Sequence, residues 1–176
     1  MPPFQHFTTK AKEAIRRAHE LAIERGQNHV NPLHLLAALI LQEDSIVTTI
    51  LDRLEIDTIL LTDSLLESIE APEAAATLSP SYQIYLTPEL AQAIENATRV
   101  AKSLSDEFVS TEHLFLSIID IPGNAREILS RFRVDRAGVV KTLEELRNTK
   151  VTDVSQPKKF KALLKYTRSL TKMAAL

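Results

Sequence analysis

The sequence of 176 residues contains no cysteine, no tryptophan and only three glycines. Without cysteine, the chain has no disulfide framework, no cysteine-based zinc site and no thiol nucleophile. The glycines Gly26, Gly123 and Gly138 are too scattered for a phosphate-binding loop, and neither GxxxxGK nor GxGxxG occurs. The chain is therefore not expected to bind ATP or a dinucleotide through such loops. The scarcity of glycine also disfavours an all-β fold full of tight turns.

Long apolar runs are also missing. The longest lies within residues 32–41 and is interrupted by His34, whereas a membrane-spanning helix needs roughly 20 apolar residues. The start of the chain, MPPFQHF, shows no basic region followed by an apolar core, so no secretory signal is predicted. We therefore expect a cytoplasmic protein that has no membrane partner.

Acidic residues are missing from the C-terminal tail. Residues 158–176 contain six basic residues and no acidic one, whereas the first 157 residues contain 15 basic and 23 acidic ones. A basic tail can bind nucleic acid or anionic lipid, but this tail is short and has little aromatic interleaving. We expect a solvated segment of a longer polypeptide and no nucleic-acid partner.

The chain contains an internal repeat. Laying residues 7–40 over 86–119, an offset of 79, gives nine identities in 34 pairs, whereas composition alone gives roughly two or three. The identical pairs are Thr8/Thr87, Ala14/Ala93, Ile15/Ile94, Ala18/Ala97, Ala22/Ala101, Val30/Val109, His34/His113, Leu35/Leu114 and Ile40/Ile119. After a one-residue slip, residues 50–57 match 128–135. We predict repeat one over about 7–70, a linker at 71–85 and repeat two over about 86–149.

Each repeat predicts four helices. The first helix of each has apolar residues at i, i+3, i+4 and i+7, which form one stripe. The first, second and fourth helices are predicted to open at Thr8 and Thr87, Asn31 and Ser110, and Asp57 and Asp135. Gly26 is the predicted stop of the first helix. The predicted fold is all-α, with two pseudo-symmetric four-helix repeats packed as one domain over 1–149, followed by a linker segment at 150–176.

Signatures of catalysis and metal binding are absent. His19 and Glu20 begin an HExxH pattern, but Ile23 stands at the second histidine, and no GxSxG occurs. His34 and His113 occupy equivalent positions, yet two histidines without further ligands make a poor metal site. We expect each of them to pack or hydrogen-bond against a neighbouring helix. No catalytic and no metal-binding residue is predicted.

Three carboxylates cluster around the first loop of repeat two, namely Asp106, Glu107 and Glu112. A pair of acids can transfer protons, but exposed loop carboxylates more often solvate a surface. An enzymatic role therefore has no motif to support it.

The repeats resemble the N-terminal domain of Clp-type AAA+ unfoldases. The pattern FTxKAxxAIxxAxxLA begins at Phe7 and VNPLHLLAAL begins at Val30, while repeat two carries LTPEL from Leu86 and VSTEHL from Val109. The tail, with VTD at 151–153 and ALLKYTRSLTKMA at 162–174, is similar to the segment leading into the first ATPase ring of ClpB-type disaggregases. Ser169 replaces the usual aspartate there.

This resemblance implies a non-catalytic substrate-handling module of a stress-response chaperone. In that family the domain binds unfolded or aggregated polypeptide through an apolar groove and helps deliver it to the ATP-driven ring. ATP and magnesium are expected only in ATPase domains that lie outside this chain, and co-chaperones or adaptors are possible partners. Because the ATPase rings assemble the hexamer of full-length relatives, this chain is expected to be monomeric.

The resemblance also implies site residues. The family positions carry over as Thr8, Asp106 and Glu112, and the groove positions fall at Ile94, Asn96, Val100 and His113. Thr8 and Glu112 also suit helix capping, whereas Asp106 has no obvious capping task. Core burial is expected for at least one of Ile94 and Val100. Asn96 and His113 are polar where relatives often carry leucine.

Two other functions are alternatives to the disaggregase domain. One is a stand-alone Clp-repeat protein that binds adaptors or assists a protease, with the basic tail as its contact. A reading frame that continues past Leu176 into a Walker A motif would exclude it. The other is an unrecognised enzyme, for which turnover of generic substrates would be required.

Overall fold

The computed structural model describes residues 5–69 and 85–153, with side chains up to residue 148. The chain divides into two compact units, Met1–Val139 and Val140–Leu176. The sequence places the end of the repeated domain further on, at about residue 149. The predicted linker at 71–85, apart from Tyr85, and the tail beyond residue 153 lie outside the described residues.

The described residues form eight helices and two short strands. Repeat one contains α1 (Thr9–Glu24), β1 (His29–Val30), α2 (Pro32–Leu41), α3 (Ile46–Arg53) and α4 (Thr58–Ile69). Repeat two contains β2 (Tyr85–Leu86), α5 (Pro88–Ser103), α6 (Thr111–Asp120), α7 (Asn124–Arg131) and α8 (Arg136–Asp153). The prediction of an all-α fold with two four-helix repeats is confirmed.

The predicted helix starts carry the expected capping hydrogen bonds. The Thr8 hydroxyl accepts from the backbone N–H of Ala11 at 3.1 Å, which satisfies one of the N–H groups that lack a partner within α1. Thr87 does the same for α5, and the carboxylates of Asp57 and Asp135 do so for α4 and α8. These residues position the ends of the helices, so they also position the loops between them.

The centre of Met1–Val139 is built from the second helix of each repeat. Each of α2 and α6 buries eight of its ten residues. Helix α1 packs against α2, α5 packs against α6, and α2 also contacts α6. In addition, α3 contacts α6, and α4 contacts both α2 and α7. The helices of the two repeats therefore share one core, as the sequence predicts.

In each repeat, the segment just before the first helix pairs with the segment just before the second helix of the other repeat. Strands β1 and β2 are parallel, with Val30 opposite Leu86. An isolated parallel bridge joins Phe7 to Val109. Under the offset of 79, Phe7 corresponds to Leu86 and Val30 to Val109, so the two pairings are equivalent. The sequence does not predict these strands because two residues are too few to show a period of two.

Four helices end in a tight turn whose central residue has a positive φ angle: Gly26 (69°), Glu55 (62°), Ser105 (62°) and Arg133 (65°). In these turns the next N–H donates back to the helix, as from Gln27 to the Ala22 carbonyl at 2.9 Å. Three of these turns place a side chain in a region that disfavours it by about 1 kcal/mol or more. A chain with few glycines therefore still forms these helix ends.

Candidate functional site

The loop between α5 and α6, residues 104–110, is anchored near both ends. Near its start, the backbone N–H of Asp106 donates to a carbonyl oxygen of α5 at 2.8 Å. Near its end, the N–H of Val109 donates to the carbonyl of His6, and the Val109 carbonyl accepts from the N–H of Thr8, both at 2.9 Å. Residues 107–108 therefore lie between two fixed backbone positions. Residues 104–110 are the α5–α6 loop.

A buried histidine ties the α5–α6 loop to α6. The His113 side chain is 2% exposed, and its Nδ1 accepts from the backbone N–H of Ser110 at 2.8 Å. Since Nδ1 accepts, hydrogen-bond geometry assigns the ring hydrogen to Nε2, which donates to Oδ2 of Asp106 at 2.7 Å. His113 thus completes a capping box and also holds the turn after α5. This arrangement gives Asp106 a structural role that the sequence did not predict.

A second polar bridge joins α5 to α6. The Ser117 hydroxyl donates to the carbonyl of Ala93 at 2.5 Å and accepts from Nδ2 of Asn96 at 3.2 Å. Ser117 is fully buried, and Asn96 is half-buried. Because these bonds satisfy a buried hydroxyl, they fix the register between the two helices. Asn96 is therefore part of this helix contact.

Three of the predicted site residues lie around the α5–α6 loop. Thr8 is bonded to it through Val109, Asp106 belongs to it, and Glu112 lies in the first turn of α6. Thr8 and Glu112 are half-buried, and the Asp106 side chain is 25% exposed. The structure thus brings together residues from the two repeats that are far apart in sequence.

The other predicted groove residues do not line a surface in this structure. Ile94 is 6% exposed, Val100 4% and His113 1%. Ile94 and Val100 both belong to the buried stripe of α5, which agrees with the expectation that at least one of them is buried in the core. The physical reason is that the apolar stripe of α5 is also the face that packs the helix.

Phe108 is a candidate contact residue that the sequence does not predict. Its side chain is 50% exposed in the middle of the α5–α6 loop, next to the exposed Glu107. The repeat alignment held a signal, since Phe108 corresponds to His29. A position that is apolar in one repeat and polar in the other is more typical of a surface than of a shared core.

The equivalent loop of repeat one has the same hydrogen bonds with a different acceptor. Nδ1 of His34 accepts from the N–H of Asn31 at 3.0 Å, and Nε2 donates to Oε1 of Gln27 at 2.7 Å. Burial of the ring, followed by the positive charge of Arg25, lowers the pKa of His34 to about 4. The capping geometry and the buried environment both favour the neutral ring. His34 and His113 are expected from the sequence to pack or hydrogen-bond against a neighbouring helix; both are buried, and their hydrogen bonds go to the loop that precedes their own helix.

The described residues offer no candidate metal site and no single helix that could span a membrane. Across residues 5–69 and 85–153, no group of three or more histidine or acidic side chains could hold a metal ion. Within the same residues, no single helix is long and apolar enough to cross a membrane. Helices α2 and α3 together have a sufficient length and composition, but an 85° bend separates them.

Comparison with known proteins places these features in a family. The chain matches the Clp repeat (R) N-terminal domain over residues 6–132. It is 32% identical over 170 residues to the chaperone protein ClpB 1 of Nostoc sp., a match that covers 96% of this chain and 19% of that protein. The chain spans about a fifth of the length of the curated relatives that it matches.

Solved structures show the same fold. The Hsp104 N-terminal domain of Candida albicans has a TM-score of 0.68 and 20% identity, covering 81% of this chain and 92% of that one. A ClpV N-domain solved in complex with a VipB peptide has a TM-score of 0.60 and 19% identity, covering 78% and 84%. With the family match over most of its length, the chain belongs to the family of Clp repeat N-terminal domains.

Proposed function

We propose that this chain is the non-catalytic, polypeptide-binding N-terminal domain of a ClpB-like disaggregase. The observation that carries the proposal is the similarity to ClpB chaperones over more than nine-tenths of the chain, within a family of N-terminal domains. In this role the domain binds unfolded or aggregated polypeptide and helps deliver it to the ATP-driven ring. ATP and magnesium would bind in the ring domains, and this chain would need no cofactor of its own.

The arrangement of the α5–α6 loop supports this proposal. Thr8, Asp106 and Glu112 are held around one loop by backbone bonds and a buried histidine, so a partner would meet a preformed surface. A preformed surface loses little conformational entropy on binding, which suits weak and reversible contacts with many chains. Under this proposal the loop, rather than the buried stripe of α5, is the first contact.

An NMR titration with a casein, a disordered apolar protein, tests the proposal. We expect the amide resonances of Thr8, Asp106 and Glu112 to shift at high micromolar casein, while those of α4, which packs on α2 and α7, stay in place. The control is the same titration with a folded protein of similar size, which should move none of them. An absence of shifts around the α5–α6 loop at high micromolar casein would contradict the proposal.

A second candidate function is adaptor binding, as in a stand-alone or protease-accessory Clp-repeat protein. The observation that favours it is the structural similarity to a ClpV N-domain in complex with a VipB peptide. The two functions differ in selectivity, since an adaptor site binds one sequence and a substrate site binds many. A scrambled version of any bound peptide distinguishes them, because scrambling abolishes adaptor binding and leaves substrate binding nearly unchanged.

The proposal includes a cytoplasmic location and a monomeric state for this chain. Light scattering at micromolar concentration should give the mass of one chain, 19.7 kDa. A stable oligomer would contradict this part of the proposal, because it would mean that the hexamer of the relatives does not depend on the ATPase rings alone.

A further inference from the structure

We infer that Phe108 is the contact residue of this domain for an apolar or aromatic side chain of an unfolded polypeptide that carries basic residues nearby. The inference rests on the proposed polypeptide-binding function and names the site and the chemistry of the segment that it prefers. In this assignment Asp106 is a positioning residue that acts through His113, and Glu107 supplies exposed negative charge.

The first argument is the exposure of an aromatic side chain on a fixed backbone. Phe108 is 50% exposed, yet its neighbour Val109 is held by two backbone hydrogen bonds of 2.9 Å. Two residues earlier, Asp106 is fixed by its N–H and by its carboxylate. An exposed ring that is already held in place contributes apolar contact at a low entropic cost, which is typical of residues that dominate an interface.

The second argument comes from the equivalent position in repeat one. There His29 corresponds to Phe108, and the ring of Tyr85 lies against it with centroids 6.0 Å apart. His29 is consequently half-buried, whereas Phe108 keeps half of its side chain exposed. By the same offset, the residue of repeat two that corresponds to Tyr85 is His6, whose side chain is exposed. We therefore place the ligand's apolar side chain against Phe108, beside this exposed histidine.

The third argument is charge. Phe108 directly follows Glu107, whose side chain is exposed. A lysine or arginine next to the bound apolar side chain gains attraction from the Glu107 carboxylate and from the face of the ring. An acidic segment would be repelled, so charge decides which apolar segments bind.

The chain has no tryptophan, so a single substitution creates a unique fluorescent reporter. The probes are three 12-residue peptides, which combine phenylalanine with lysine, phenylalanine with glutamate, and alanine with lysine. We expect the phenylalanine–lysine peptide to shift the emission of Phe108→Trp to shorter wavelength and to bind it as tightly as the unsubstituted chain. Tyr85→Trp is the matched control, and its emission should not change.

Affinity measured with a labelled phenylalanine–lysine peptide completes the test. Phe108→Ser should weaken binding by about tenfold or more, whereas Ile59→Ser, at an exposed apolar residue of α4, should leave it unchanged. Asp106→Ala should weaken binding and also raise the amide exchange rate of residues 107–108, which a substitution with purely global effects would not do selectively. Because Phe108 is exposed, Phe108→Ser should keep the thermal stability of the parent chain.

The inference is overturned if Phe108→Ser binds the peptide within about twofold of the parent chain. It is also overturned if the phenylalanine–glutamate peptide binds as tightly as the phenylalanine–lysine peptide. The same holds if light scattering shows that the only effect of Phe108→Ser is to dissociate a dimer of this chain. The result that would contradict the proposed function is a different one, namely that the unsubstituted chain does not bind casein. If Phe108→Ser still binds casein as the parent chain does, the inference is contradicted and the proposed function is not.

Discussion

Both repeats tie the end of their first helix to the start of their second through a buried histidine, but the acceptor differs. In repeat one it is the amide oxygen of Gln27, and in repeat two it is the carboxylate of Asp106, each 2.7 Å from Nε2 of the histidine. Equal geometry from unlike chemistry shows that the fold needs an acceptor oxygen here and not a negative charge. Asp106 therefore adds to repeat two a carboxylate that Gln27 does not supply in repeat one.

The largest expected effect comes from removing either ring. His34→Ala and His113→Ala should each lower the free energy of unfolding by about 3 kcal/mol, because each leaves a cavity and removes two side-chain hydrogen bonds. Urea unfolding followed by circular dichroism measures both losses. A difference between them on the order of 2 kcal/mol would show that the two histidines are not structurally equivalent.

The second effect depends on pH and concerns repeat one. Because the pKa of His34 is lowered to about 4 in the folded chain, the unfolded chain binds a proton below its ordinary value of 6.5 while the folded chain does not. The stability due to the neutral ring is complete above pH 6.5 and is lost as the pH falls to about 4. The loss should be on the order of 3 kcal/mol.

The matched variant for the pH effect is His34→Gln, whose side-chain oxygen can accept the N–H of Asn31 as in an ordinary capping box. The difference in unfolding free energy between this variant and the parent chain should shrink as the pH falls from 6.5 to 4. A constant difference over that range would show that His34 does not titrate in this way.

The third prediction exchanges the acceptors directly. Asp106→Gln introduces the side chain that repeat one uses at the same place, so unfolding free energy should change by less than about 1 kcal/mol. Asp106→Ala removes the acceptor from a buried donor and should cost about 1–2 kcal/mol. Chemical denaturation of both variants checks this. If Asp106→Gln is as damaging as Asp106→Ala, the fold of repeat two does need the charge.

The smallest expected effect concerns the turns after α1 and α5. Ser105→Gly should stabilise the chain by about 0.5–1 kcal/mol, because glycine adopts the positive φ angle without the strain of a side chain. The exchange in the other direction, Gly26→Ser, should destabilise it by a similar amount. Thermal unfolding curves resolve both changes. Opposite signs are the critical result, since equal signs would mean that the two turns are not equivalent.

Much of the fold could be predicted from local chemistry. Thr8 and Thr87 cap their helices as the sequence indicates, because a capping hydroxyl acts on residues three positions away. The stripe of α5 likewise predicts its buried face, including Ile94 and Val100. These predictions succeed since cause and effect lie within one helix. The same locality explains why the repeat alignment identified His34 and His113 as a pair.

The features that the sequence did not predict depend on distant contacts or on backbone conformation. The bridge between Phe7 and Val109 joins two short segments from different repeats, and no residue pattern marks it. Ser105 has a positive φ angle, a conformation that favours glycine, so the serine gives no sequence signal for the turn. The exposure of Phe108 follows from both facts, since the turn and the bridge fix the loop that carries it. The site residues themselves came from resemblance, and their binding role stays a prediction.

The pairing of short segments between the two repeats has a consequence for synthesis on the ribosome. Phe7 emerges about a hundred residues before Val109, its partner in the bridge, and β1 is complete long before β2. Contacts so distant in sequence close late in folding. A nascent chain that has finished only repeat one therefore exposes two unpaired backbone edges until repeat two is made. The pairing of both segments is therefore completed only after the second repeat has been translated.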